Sequence, residues 1–489
     1  MGSASVLQLV ATGAQDKYLS EQPQITFFKG VHKRHTNFAN EQIEIPMSGS
    51  VYPGSKVSIL ITRNGDLLKG ITIQYNPRKI IPASNKIRAI ASDIGHTLFE
   101  QIDIEIGGQL IDRHYGKWLT VWRDLTDVNP YSGQFPIFAP GGSEIQSYYK
   151  VLEFTKAVDP TSYREGEITI KTIQTQLTQY NTMAYTHAGV INPSLADPTI
   201  TPMGTQFAPT EAYVPMQFWF CRNPGLALPL IALQYHEVKL NITFAKKEAF
   251  VLPISPLDIN NINIDLTSVK IFGDYVFLDS IERRQFAQQG HEYLIDQLQY
   301  ITSDTPNLNS MELNLNHPVK ELIITGKPQF VANKIQINTN PDNTFLLPGY
   351  IGIWGTATPY PIITKYSSSP NTILDSGPIT NLQIQLVLNQ NDRFSARNLK
   401  YFTRFQLLDS SHKGSGSLLS SDAIAIYSFA IKPQDLQPCG SCNFSRIDRA
   451  TLYFSERDKD ETLNPLDIYA LNHNIFRVMS GMGGLAYSN

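Results

Sequence analysis

Ile102-Asp103-Ile104-Glu105-Ile106-Gly107-Gly108 is the stretch on which the fold turns. Three isoleucines separated by two carboxylates give an extended chain one apolar and one polar face, because successive side chains of a strand point to opposite sides. The Gly-Gly pair that follows reaches positive φ without a steric penalty, so it predicts a tight hairpin. The same period of two recurs at Val57, Ile59 and Ile61, then at Ile71, Ile73 and Tyr75 after the turn-like Asn64-Gly65-Asp66. It returns at Val238, Leu240, Ile242 and Phe244, at Met311, Leu313 and Leu315, and at Leu382, Ile384, Leu386 and Leu388. Each run predicts a strand with one buried face. Helical periodicity is scarce. Its best candidate is Ser280 to Gln289, with Gly290 as the expected C-terminal cap, and its central position makes it a connector between two β units.

A weak internal repeat supports that division. Ile102 to Trp122 reads strand, turn, Asp112-Arg113 and then an aromatic-rich run; Ile384 to Phe405 reads strand, turn, Asp392-Arg393 and then Tyr401 to Phe405. Each half closes alike, on Glu237 to Phe244 and Val269 to Leu278 in the first, and on Arg449 to Phe454 and Ile468 to Val478 in the second. Two copies of one antiparallel fold explain this most economically. Three long stretches rich in turn formers interrupt the pattern: Asn129 to Ser147, Asn181 to Pro215 and Asn338 to Pro378. They are expected to project as loops and to supply no core strand. The expected fold is all-β: two consecutive eight-stranded antiparallel jelly rolls with long loop insertions and few short helices.

Composition narrows the function. Charged residues are 17% of the 489, below the roughly 25% usual for soluble domains. Uncharged polar surface is easier to desolvate than ions, which suits a protein that covers much of its outside with neighbours. The net charge is −3 and the 40 basic residues are scattered, so direct nucleic-acid binding is not expected. Met1 to Lys17 lacks the basic-then-apolar order of a secretory signal, and Val6 stands where an acylation motif needs Ser or Thr. The most apolar run, Gly225 to Leu233, is too short to span a bilayer.

Several blocks resemble the double jelly-roll major capsid proteins of nucleocytoplasmic large DNA viruses. They are Gly13 to Leu19, Pro23 to Lys29, Arg34 to Phe38, Phe218 to Asn223, Ala232 to Val238, His291 to Ile295, Cys442 to Asp448 and Ser480 to Asn489, in family order from end to end. The resemblance implies a structural protein of the virion, made and assembled in the host cytoplasm. It implies a homotrimer whose six barrels form a pseudo-hexagonal capsomer in an icosahedral shell, with minor capsid and penton proteins as partners. An arm at residues 1–24 would face the inner membrane layer, followed by a first jelly roll at 25–281, a helical linker at 282–290 and a second jelly roll at 291–489. A carbohydrate-binding, lectin-like β-sandwich is the runner-up, on the loop aromatics Tyr350, Trp354 and Tyr360.

No catalytic, cofactor-binding or metal-binding residue is assigned, no cofactor is expected, and the chain is not expected to be an enzyme. Cys439-Gly440-Ser441-Cys442 has CxxC spacing, yet no second ligand pair completes a zinc site and no βαβ context supports redox chemistry; a turn before a strand is the expected role. His32 and His35 are separated by Lys33 and Arg34, whose charges oppose a metal. Asp112-Arg113 and Asp392-Arg393 read as turn residues with a local ion pair. Gly481, Gly483 and Gly484 read as tight packing of the C-terminus, and the sequons at Asn241 and Asn443 as unused.

Overall fold

The structure, a computed structural model, describes residues 11, 13–47, 49–80, 94–127, 210–253, 256–305, 308–326, 382–412, 424–455 and 465–487. It also describes the backbone of short pieces at 87–90, 151–154, 168–171, 179–184, 190–191, 328–333, 345–350, 354–356 and 461–463.

Among the described residues, eight strands build the two main sheets of the first half: β1 (Phe38–Ile45), β2 (Lys56–Leu60), β3 (Leu67–Tyr75), β4 (Phe99–Ile106), β5 (Gln109–His114), β6 (Ala212–Pro215), β7 (Val238–Phe244) and β8 (Lys270–Leu278). They form two antiparallel sheets, in the orders β1-β8-β3-β6 and β2-β7-β4-β5. The second half repeats this with β9 (His291–Ser303), β10 (Ser310–Glu312), β11 (Pro318–Gly326), β12 (Gln383–Leu388), β13 (Asn391–Asp392), β14 (Ile424–Ser428), β15 (Ala450–Ser455) and β16 (Leu466–Met479). Its sheets run β9-β16-β11-β14 and β10-β15-β12-β13. The orders match strand for strand, so each half is one jelly roll and the internal repeat is real.

Alternation explains the pairing. Ile59, Ile104, Leu240 and Ile242 of one sheet and Ile71, Ile73 and Ile271 of the other fill the first core. Leu322, Ile324, Ile384, Leu386, Leu452 and Ile468 fill the second. Each buried side chain of this size contributes about 1.5–3 kcal/mol, and a one-residue slip would turn a whole strand's set to water. The hairpin expected at Gly107-Gly108 joins β4 to β5, with φ of 59° and 83°. Its counterpart Asn389-Gln390 joins β12 to β13 at φ of 49° and 64°. Both turns follow the strand twist in the same way.

Several expectations are corrected. The longest helix among the described residues is α1 (Gly116–Thr126), not the connector. Trp118, Val121, Trp122 and Leu125 sit at helical spacing, but flanking strands masked that period. The connector is α2 (Ser280–Gln288), capped at its start by Asp279, whose carboxylate accepts the Ile281 and Glu282 amides. It leaves the helix through Gln289 in extended conformation, so Gly290 is not a left-handed cap. Ala212–Pro215, placed inside an insertion, is a strand paired with β3. Four residues ending in Pro are too few to show alternation. Met183 and Ala184, in the same insertion, end a short helix, and the Ala184 carbonyl accepts the buried Tyr75 hydroxyl. Asn129 to Ser147 lies outside the described residues. Within Asn338 to Pro378, Phe345–Tyr350 pairs with Pro328–Asn333 and Trp354–Thr356 pairs with Glu461–Leu463, both outside the two jelly rolls; Tyr360 lies outside the described residues.

Candidate functional site

The described residues suited to assembly chemistry lie along the seam between the jelly rolls and on the faces left open. α1 forms the apolar part of the seam. Leu119 points into the first core, whereas Trp118, Val121, Trp122 and Leu125 pack with Leu298, Ile323, Ile426, Tyr469 and Leu471 on the outer face of β9-β16-β11-β14. The Trp118 and Tyr469 rings lie 5.2 Å apart.

The chain's end fastens the same seam. Strand β17 (Met482–Leu485) folds back on β16, and the Tyr235 amide donates to the Gly481 carbonyl at 3.0 Å. The Leu485 amide donates to Gln109 Oε1 at 3.3 Å. A Cβ at Gly483 would come within 2.5 Å of Leu233, and Gly481 has φ of 82°. Close approach of backbone to the first jelly roll therefore requires these glycines, in agreement with the packing role expected of them.

Charges are concentrated beside this apolar seam. Asp296 on β9 meets Lys320 at 2.8 Å, Arg222 of the first jelly roll at 3.3 Å and His473 at 3.3 Å. Arg222 also lies 4.8 Å over the Trp122 ring. Burial alone would raise the Asp296 pKa, but the close contact with His473 and the positive charges of Arg222 and Lys320 outweigh it and hold the carboxyl well below the usual range. Nearby, Lys117 bonds Asp467 at 3.0 Å and reaches the Gly326 carbonyl. Nothing in the sequence marked these groups, because each partner comes from a different and distant element.

The sequence candidates fall elsewhere. Asp112 and Arg113 belong to strand β5 rather than a turn; Arg113 pairs with Asp103 at 2.8 Å, and Asp112 Oδ1 accepts the Leu298 amide at 3.1 Å. Asp392 does follow a turn, as the last residue of β13. Cys439 accepts the Lys432 amide and leads through Gly440, at φ of 129°, into the short strand Cys442–Asn443. All three cysteines are free, and burial pushes the Cys221 thiol up to about 12. His35 bonds the Thr36 carbonyl at 2.7 Å and is exposed, as is His32. Asn241 donates to Glu105 on the neighbouring strand, and Asn443 accepts the Ser445 amide. Among the described residues no group of three or more His, Cys, Asp or Glu could hold a metal, and no described helix is long and apolar enough to cross a membrane. Melting temperatures in EDTA and in dithiothreitol are therefore expected to match the untreated value; a fall of several degrees with either reagent would reveal a missed metal or disulfide.

Open apolar surface is concentrated at the start of the described chain. Tyr18, Leu19, Phe27 and Phe28 are at least 90% exposed, and every described residue from 13 to 37 is exposed. Apolar side chains left in water in this number are suited to contact with another surface.

Comparison with known proteins matches this architecture. The family of large eukaryotic DNA virus major capsid proteins matches residues 282–484, and the major capsid protein N-terminus family matches 26–132 and 159–279. The major capsid protein of Pyramimonas orientalis virus is 36% identical, covering 99% of each chain. That of Paramecium bursaria Chlorella virus 1 is 33% identical, again over 99% of each chain. Among solved structures, the quasi-atomic model of the PBCV-1 virus capsid is 29% identical, with a TM-score of 0.59 over 95% of this chain and 100% of that one. The sugar-binding alternative finds no support in these likenesses. With both halves matched in order and the whole length covered, the chain belongs to the major capsid proteins of large eukaryotic DNA viruses.

Proposed function

We propose that this capsid protein trimerises, that the six jelly rolls of three copies form a pseudo-hexagonal capsomer, and that capsomers tile an icosahedral shell. The observation that carries this is the strand-for-strand repeat of two jelly rolls locked by a buried seam. A rigid pair of like units turned three times about an axis fills a six-sided lattice position. Closed sandwiches also leave few free edges, which limits irregular association. The work of the protein is assembly and not catalysis, and direct contact with nucleic acid is not part of it. Minor capsid and penton proteins are its partners in the shell, and synthesis and assembly take place in the host cytoplasm.

The jelly rolls are assigned to 25–281 and 291–489, joined by 282–290. The arm is assigned to residues 1–24 and serves the inner side, toward the membrane layer; among the described residues, exposure runs without a break from Gly13 to Asn37. The exposed Tyr18 and Leu19 of the arm, with the exposed Phe27 and Phe28 just after it, support this reading. Size-exclusion chromatography with light scattering on the purified chain is expected to give three times the chain mass; a monomer would count against the capsomer. Limited proteolysis is expected to cut the arm in free trimers and spare it in assembled particles. Equal cutting in both would remove the arm from the inner contacts.

A further inference from the structure

The two jelly rolls also repeat at the helix that follows each Gly-Gly or Asn-Gln hairpin. In the second half this helix, α3, consists of Tyr401–Phe405, wound at π pitch, and Gln406–Asp409. α1 reads Lys117-Trp118-Leu119-Thr120-Val121-Trp122-Arg123-Asp124-Leu125, and α3 with its preceding residue reads Lys400-Tyr401-Phe402-Thr403-Arg404-Phe405-Gln406-Leu407-Leu408. Leu119 is buried in the first core and Phe402 in the second, so each helix turns the same position toward its own jelly roll. On α1 the opposite stripe, Trp118, Trp122 and Leu125, is buried against the other jelly roll. The matching stripe on α3 is Tyr401, Phe405 and Leu408. Phe405 is 53% exposed and Leu408 80%.

The receiving surface has a twin as well. Under α1 lies Ile323 on β11, in register with Tyr469 on one side and Ile426 on the other. Thr72 on β3 holds the same place in the first jelly roll, in register with Phe272 and Pro215. All three are partly exposed, and a notch of about 180 Å³ opens among Gly70, Thr72, Pro215 and Asp274. The differences are complementary. Where α1 carries Val121 toward a face that includes Leu471, α3 carries Arg404, and the residue of β8 equivalent to Leu471 is Asp274.

We propose that α3 of one copy docks on the outer face of β1-β8-β3-β6 of a second copy of this chain. Phe405 and Leu408 enter the notch beside Thr72, and Arg404 faces Asp274. The ring then closes through three contacts within chains and three between chains, all of one kind. The inference rests on the capsomer reading and names the surfaces that such a trimer uses.

Two variants test it. Leu408→Arg adds a charge at an exposed position, so the folded chain should keep its circular dichroism while the trimer falls to monomer in light scattering. The paired variant Leu408→Cys with Thr72→Cys should form covalent dimers and trimers on oxidation, and neither single variant should do so. If the unaltered chain is itself monomeric, the capsomer reading fails. If it is trimeric while Leu408→Arg is equally trimeric and the cysteine pair stays uncoupled, the docking is overturned and the stripe on α3 meets some other surface.

Discussion

Replacing Trp118 by alanine is expected to lower the stability of the chain by about 3–5 kcal/mol, the usual cost of emptying a large aromatic site that cannot collapse. Trp118 is 1% exposed and is surrounded by side chains of both halves, including Trp122 and Tyr469. The loss should fall on the seam. Each jelly roll keeps its own core of Ile, Leu and Val, so calorimetry is expected to show one transition for the unaltered chain and two for the variant. Ile281→Ala, at an 80% exposed position of α2, should move the midpoint by less than about 0.5 kcal/mol. A Trp118→Ala chain that melts as the unaltered one does would mean that α1 does not join the halves.

How much of this was legible follows from the physics of each element. Strands such as Ile102 to Ile106 and Leu240 to Phe244 have one wet and one dry face, and the sequence shows that directly as period two. The duplication was legible because both hairpins and both closing strands kept their order. β6 was not, because Ala212–Pro215 is four residues long and lies between stretches of turn formers. α1 is buried on nearly every side, so no polar stripe announced a helix. The charged part of the seam was hidden for a different reason: Arg222, Asp296, Lys320 and His473 meet only after the two jelly rolls are placed side by side.

That charged seam carries the second large effect. Asp296→Ala should destabilise the chain by about 3 kcal/mol, at the lower end for a broken buried pair because the side chain is one-fifth exposed. The loss arises from Lys320 and Arg222 being left without their counter-charge. Asp296→Asn, which keeps a polar group of the same shape, should lose less. The pH dependence has a definite sign. The folded carboxyl has a depressed pKa, so its contribution is complete above the unfolded value of about 4 and is lost as pH falls below it toward the folded value. Acid titration of the unaltered chain, followed by urea denaturation at each pH, should therefore show a steeper fall below about pH 4 than the Asp296→Asn variant shows. Parallel curves would remove Asp296 from the acid response.

The central claim is that one chain supplies two equivalent units of a six-unit ring. Electron cryomicroscopy of the purified, unassembled protein tests it most directly. The account predicts a particle of three chains with six jelly rolls around a three-fold axis, α1 filling the seam within each chain and α3 the seam between chains. A single chain, or a closed oligomer with any other number of jelly rolls, would contradict it.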